Sequence, residues 1–128
     1  MEVLSSRVIL RVADLGRSRA FYEDTIGLRV YREYGIDGAV TGVVYFLGGG
    51  FLELTEGRAD PSRDVILWLQ VPDLAVEATR LAEHGVTVRK PAARMPWGLL
   101  EFWIEDADGT ELRIVEVPDD HPLRRRVT

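Results

Sequence analysis

The chain has 128 residues, room for one compact domain or two half-size units and too few for two independent enzymatic domains. Apolar residues make up 46% and charged residues 29%, with a mean hydropathy of −0.04, which excludes a disordered, collagenous or membrane-spanning chain. The 16 Lys and Arg stand against 21 Asp and Glu, and the net charge of −5 repels a phosphate backbone, so no nucleic-acid partner is expected.

Cysteine is absent, which removes disulfides, iron–sulfur clusters, thiolate zinc sites and cysteine nucleophiles together. The opening MEVLSSR lacks the basic and apolar regions of a signal sequence, and no apolar run reaches membrane-spanning length. A cytoplasmic protein with no membrane partner is therefore expected.

Val8, Leu10 and Val12 alternate as a strand does, and Asp14 then caps a helix with Leu15, Ser18, Tyr22 and Ile26 on one face and Gly27 as its stop. Strands follow over 28–34, 40–47 and 51–56, and the polar stretch 57–64, with Arg58, Asp60, Pro61, Ser62 and Arg63, reads as a linker. Leu67, Leu69 and Val71 then repeat the strand, Asp73 the cap, Leu74, Ala78, Leu81 and Ala82 the helix face, and Gly85 the stop. Three more strands are expected over 86–90, 99–105 and 111–117. Asp73 follows Asp14 by 59 positions, nearly half the chain, and the same offset pairs Leu10 with Leu69 and Val12 with Val71.

Each half thus reads β-α-β-β-β, an α+β class, with module 1 over 5–57, module 2 over 64–118 and a solvated tail over 119–128 containing Arg124, Arg125 and Arg126. Gly48, Gly49 and Gly50 match Asp106, Ala107, Asp108 and Gly109 as hairpin turns that need positive φ. A strand follows the glycine triplet, with no Lys or Thr after it, so it is a turn and not a phosphate cradle.

The stretch RVILRVADLGRSRAFY over 7–22, followed by Ile26, Gly27 and Leu28, closely resembles the opening of the vicinal oxygen chelate superfamily, the glyoxalase, bleomycin resistance protein and extradiol dioxygenase group. The resemblance continues through Gly49, Gly50, Phe51, Leu52, Glu53 and Leu54, then Pro96, Trp97 and Gly98, Phe102, and 106–109. It implies paired βαβββ modules whose strands curl into an incomplete barrel around a cleft, often completed by homodimerisation. It does not by itself choose among isomerases, lyases, dioxygenases and antibiotic-sequestering proteins.

Enzymes of this group hold a divalent metal with His, Gln or Glu from the first and fourth strands of each module. The resemblance places those positions at Arg7, Glu53, Ile66 and Arg113. Guanidinium groups offer donors only and repel a cation, and Ile66 has no ligating atom, so no metal or other cofactor is expected. The two histidines, His84 and His121, fall elsewhere. An Arg7–Glu53–Arg113 cluster is expected in the metal's stead, with Glu53 held ionised and a poor general base.

Alternation sends Arg7, Ile9 and Arg11 to the cleft, as it does Ile66, Trp68 and Gln70, Glu101 and Trp103, and Glu111, Arg113 and Val115. Trp68 and Trp103 offer π faces for a flat ring or a cation, Glu101 and Glu111 complement a basic ligand, and Trp97 reads as a rim or flap residue. Alternatively the tryptophans simply fill the core, and the facing of Tyr31, Tyr34 and Tyr45 is open. His84 is expected at helix-end carbonyls, Ser18 lacks an activating partner, and a tight hairpin at Asp106 and Asp108 supplies too few oxygens for calcium.

The leading expectation is a metal-independent, homodimeric small-molecule-binding protein that sequesters an aromatic or cationic compound such as an antibiotic. The alternatives are a lyase, isomerase or cyclase with Glu53 or Glu101 as acid/base, and a metal-dependent glyoxalase- or dioxygenase-like enzyme with a non-standard ligand set.

Overall fold

The computed structural model describes residues 2–57 and 65–122. The expected linker from Arg58 to Asp64 and the arginines at 124–126 lie outside the described residues. In chain order the elements are β1 (Arg7–Val12), α1 (Leu15–Arg19) running on as a π-helical segment (Ala20–Ile26), β2 (Val30–Ile36), β3 (Ala39–Leu47) and β4 (Gly50–Glu56). Then come β5 (Ile66–Gln70), α2 (Leu74–Glu83), β6 (Thr87–Arg94), β7 (Leu100–Glu105) and β8 (Glu111–Glu116).

Contacts divide the chain into two units, Met1–Ser62 and Arg63–Thr128. Each holds an open, mixed four-stranded sheet, in the order β1-β4-β3-β2 in the first and β5-β8-β7-β6 in the second. The first strand of each unit pairs parallel with its fourth and the other neighbours are antiparallel, so each unit has βαβββ topology.

The helices begin where the sequence places their caps. The Asp14 carboxylate accepts the Arg17 N–H at 3.1 Å and the Asp73 carboxylate accepts the Val76 N–H at 3.2 Å, each satisfying an otherwise orphaned donor. Gly27 takes φ 87° at the end of the first helix, and the Gly27 and Leu28 N–H groups both donate to the Tyr22 carbonyl. That helix departs from expectation in widening to π geometry after Arg19. Its buried face is Leu15, Ser18 and Tyr22, with Ile26 only half-buried.

Under the first helix lie Leu10, Val12, Val43, Tyr45, Leu52 and Leu54, all buried, with the Tyr22 and Tyr45 ring centroids 6.2 Å apart. The second unit buries Leu67, Phe102, Ile104, Leu112 and Ile114 with Leu74 and Leu81 of α2. Ala82, expected on that buried face, is exposed. In both sheets one set of alternate residues is therefore committed to the helix, which frees the other set for chemistry.

The hairpins carry two refinements. Of the glycine triplet only Gly48 takes positive φ, at 54°, and the sharper turn is Asp37-Gly38, where both residues are left-handed. An Asp-Gly pair between two apolar runs is a hairpin signal in its own right. Just before it the strand pairing shifts register between Tyr34 and Gly35.

Asp14→Ala and Asp73→Ala should each lower unfolding free energy by about 1 kcal/mol through loss of a helix cap. Urea denaturation read by far-ultraviolet circular dichroism measures it, and an unchanged midpoint in either variant would remove that cap's role.

Candidate functional site

Strand register arranges the face of the first sheet away from the helix in rows. Arg7, Phe51 and Phe46 form one, Ile9, Glu53, Val44 and Arg32 the next, and Arg11, Thr55, Gly42 and Tyr34 the third. Tyr31 joins the first row through its ring, whose centroid lies 4.9 Å from that of Phe51 and 5.1 Å from that of Phe46.

Glu53 sits in the middle of this face with both oxygens engaged. Arg7 Nη1 donates to Oε1 at 2.7 Å and Tyr34 Oη donates to Oε2 at 2.7 Å. The tyrosine reaches it by lying flat over Gly42, where a Cβ would come 2.1 Å from Tyr34 Cζ. Burial by itself would raise the Glu53 pKa, but the Tyr34 and Arg7 hydrogen bonds and the charges of Arg7 and Arg32 outweigh it and hold the carboxyl below its ordinary value. Burial and the Glu53 carboxylate push the Tyr34 phenol up, against a hydrogen bond with Thr55.

The corresponding rows of the second sheet are Ile66, Glu111 and Glu105, then Trp68, Arg113, Trp103 and Lys90, then Gln70, Val115, Glu101 and Ala93. Arg113 Nε donates to Glu111 at 2.8 Å and its guanidinium lies 3.8 Å from the Trp103 ring centroid. Lys90 Nζ lies 5.0 Å from the same centroid, so cations from the strands on either side of β7 attend one indole. Arg89 spans Glu105 at 2.6 Å and Glu111 at 3.0 Å. Burial raises the Glu111 pKa, yet Arg113 and Arg89 together bring it down.

Several sequence-derived expectations change in this light. Arg7 and Glu53 meet as expected, but Arg113 is engaged by Glu111 and Trp103 within its own sheet, and the second partner of Glu53 is Tyr34. Trp103 does not present a vacant ring. Glu101 is 2% exposed and accepts the indole N–H of Trp97 at 2.5 Å and of Trp103 at 2.8 Å, so it is a structural carboxylate. Glu111 is committed to two arginines. Trp68, 46% exposed, and Trp97, 51% exposed, keep accessible ring surface, while Arg11 and Gln70 are exposed.

A divalent cation does not fit this donor set. Glu53 and Arg113 occupy matching places on the fourth strand of each unit, as Arg7 and Ile66 do on the first. Glu53 is the single ligating side chain of the four, and its oxygens already face two donors. Among the described residues no cluster of three or more His, Cys, Asp or Glu is placed to hold a metal.

The other polar residues have local explanations. His84 Nδ1 lies 2.9 Å from the Arg80 carbonyl at the end of α2, as expected. Asp106 accepts the Asp108 and Thr110 N–H groups, which folds the hairpin. Tyr45 faces the helix and donates to Glu23, which Arg19 also holds at 2.6 Å. Tyr34 and Gly42 were the residues of the site that alternation alone missed, and a glycine inside an otherwise β-branched strand was the available signal.

Two outcomes follow from Glu53. A carboxyl whose folded pKa is depressed contributes stability that is full above its unfolded value near 4.5 and is lost as pH falls through the folded value. Glu53→Gln should flatten that stretch of the stability–pH curve, and urea midpoints from neutral pH into the acid range measure it. Gly42→Ala should displace the Tyr34 ring and cost about 1–3 kcal/mol. A Tyr34 titration unchanged by ultraviolet absorbance in that variant would dissociate the glycine from the Tyr34–Glu53 bond.

Comparison with known proteins agrees with this architecture. The Glyoxalase/Bleomycin resistance protein/Dioxygenase superfamily matches residues 5–114. Lactoylglutathione lyase of Salmonella typhimurium is 29% identical over 122 residues, covering 87% of this chain and 90% of that protein. A glyoxalase/bleomycin resistance protein from Catenulispora acidiphila superposes with a TM-score of 0.72 at 25% identity, over 91% of this chain and 100% of the other. TnmS3, an antibiotic-binding protein from a Streptomyces species, gives 0.73 at 19% identity over 91% and 98%, a likeness of fold. With its paired βαβββ units and a family match over most of its length, the chain belongs to the glyoxalase/bleomycin resistance protein/dioxygenase superfamily.

Proposed function

We propose that this chain is a metal-independent binding protein for an aromatic small molecule, an antibiotic among the compounds that fit, and that it works in the cytoplasm as a homodimer. The observation that carries the reading is the engagement of both Glu53 oxygens by Arg7 and Tyr34 at the single ligating position of the family's metal set. A carboxylate so held is a weak general base at neutral pH and a poor cation ligand. Accessible aromatic surface, at Tyr31 and Phe46 in the first unit and separately at Trp68 in the second, is what a flat ligand needs. Antibiotic binding by TnmS3, a neighbour in fold, is consistent with this use of the scaffold.

The second reading is a lyase, and the 29% identity to lactoylglutathione lyase is what favours it. A thermal-shift series separates the two. Aromatic natural products at a hundredfold excess over their dissociation constants should stabilise the protein by about 2.7 kcal/mol, while nickel, zinc, manganese and iron should leave it unmoved. Trp68→Ala should weaken the bound compound by about 1 kcal/mol if its ring stacks there. Stabilisation by a metal alone, or turnover abolished in Glu53→Gln with ligand affinity intact, would put the enzyme first.

A further inference from the structure

The charge of the ligand follows from which groups are already spoken for, and this step rests on the binding reading above. Of the groups that sequence alone assigns to a cation, Trp68 keeps an accessible ring, whereas Trp103, Glu101 and Glu111 are occupied by the protein itself. Trp103 is flanked by Arg113 and Lys90, Glu101 is filled by two indole N–H groups, and Glu111 by two guanidiniums. Away from the Trp68 ring, a cationic ligand would have to displace one of these cations or compete for a carboxylate whose two oxygens each already accept a hydrogen bond.

The first sheet has the reverse surplus. Its face away from the helix carries Arg7, Arg11 and Arg32 against Glu53 alone, and Arg7 is the one that Glu53 holds. Arg32 is exposed, lies 5.9 Å from the Tyr34 ring and acts on Glu53 through its charge without a hydrogen bond, and among the described residues neither Arg32 nor Arg11 makes an ion pair. Beside them Tyr31, Phe46 and Phe51 form a ring cluster with centroids 4.9–5.8 Å apart, and the first two are about half exposed at 49% and 48%. A pocket of about 650 Å³ borders Phe46 at the edge of this face, lined also by Gly27, Leu28, Arg29 and Val30 and not by Tyr31 or Arg32. In a chain of net charge −5 this is a cationic, aromatic surface with unspent hydrogen-bond donors.

We propose that the ligand is an aromatic anion, a carboxylate or a similar acid on a flat ring, with its ring against Tyr31 and Phe46 and its acid group taken by Arg32. A guanidinium matches a carboxylate with two parallel donors, and the neighbouring ring cluster fixes how far from that fork the aromatic portion sits.

The test uses a matched set of probes, 2-naphthoate, 2-naphthamide and 2-naphthylmethylammonium, titrated into the full-length protein by calorimetry. Naphthoate should bind at least tenfold more tightly than the ammonium compound. Arg32→Ala should cost naphthoate about tenfold, leaving the amide unchanged as a control for folding, and Arg32→Lys should restore part of the loss. Phe46→Ala should weaken all three. Equal or better binding of the ammonium compound, or naphthoate affinity indifferent to Arg32, would overturn the anion assignment while leaving small-molecule binding in place. Failure of all three probes to bind would overturn both. A Phe46→Ala variant that shifts a monomer–dimer balance but leaves naphthoate binding intact would assign the ring cluster to a second copy of the chain and overturn the proposal.

Discussion

A carboxylate held partly or wholly out of water needs donors for its oxygens, and that requirement organises the polar side chains of both units. Glu53 takes Arg7 and Tyr34, Glu101 takes Trp97 and Trp103, Glu111 takes Arg89 and Arg113, and Glu23 takes Arg19 and Tyr45. None of these four carboxylates is more than partly exposed, so losing either donor would leave an acceptor away from water. The arginine-rich strands and the polar ends of the aromatic residues are thus where they are because the acids are where they are. Three of the four lie on faces opposite the helices, so this constraint governs the surface available to a ligand rather than the apolar core.

The internal repeat gives the two units the same backbone and opposite chemistry. At the central position of the fourth strand the first unit has an acid, Glu53, and the second a base, Arg113. Their neighbours invert accordingly. Around Glu53 stand arginines and a tyrosine that crosses Gly42, while around Arg113 stand acids and an indole, with Trp103 at the place of Val44 and Glu101 at that of Gly42. Each half neutralises its own central charge with donors or acceptors of its own sheet. The four positions that the family resemblance assigns to a metal hold Arg7, Glu53, Ile66 and Arg113 here, two of them cationic and one apolar, a set that does not fit a divalent cation.

Much of this was legible in the sequence because it depends on period and on caps. Asp14, Asp73, Gly27 and the repeat at 59 positions fix where elements begin and stop, and alternation through Leu10, Val12, Leu52 and Leu54 fixes which face meets the helix. Pairing between side chains was legible only in part. Alternation places Arg7 and Glu53 on one face, yet it cannot decide that Tyr34 rather than Arg113 completes Glu53, because that choice turns on a ring crossing an absent Cβ at Gly42. Nor does it show that Trp103 is already attended by Lys90, whose side of the sheet depends on a register shift between Val88 and Lys90. The widening of the first helix after Arg19 likewise leaves no mark in an apolar pattern that α spacing satisfies as well.

These pairings also decide how an acidic protein can receive an acidic ligand. The net charge of −5 opposes the approach of an anion at long range, but in about 0.15 M salt that field is screened beyond roughly 8 Å. What the ligand meets inside that distance is the local set, and on the face of the first sheet away from the helix the carboxylate of Glu53 is paired with Arg7 while Arg32 and Arg11 are exposed to solvent. The same salt weakens exposed guanidinium contacts too, so the ring cluster at Tyr31, Phe46 and Phe51 has to carry most of the affinity and Arg32 most of the discrimination. That division of labour matches the geometry, in which the aromatic row of Phe51 and Phe46 lies beside the row that carries Arg32, and the carboxylate in that row, Glu53, is already held by Arg7 and Tyr34.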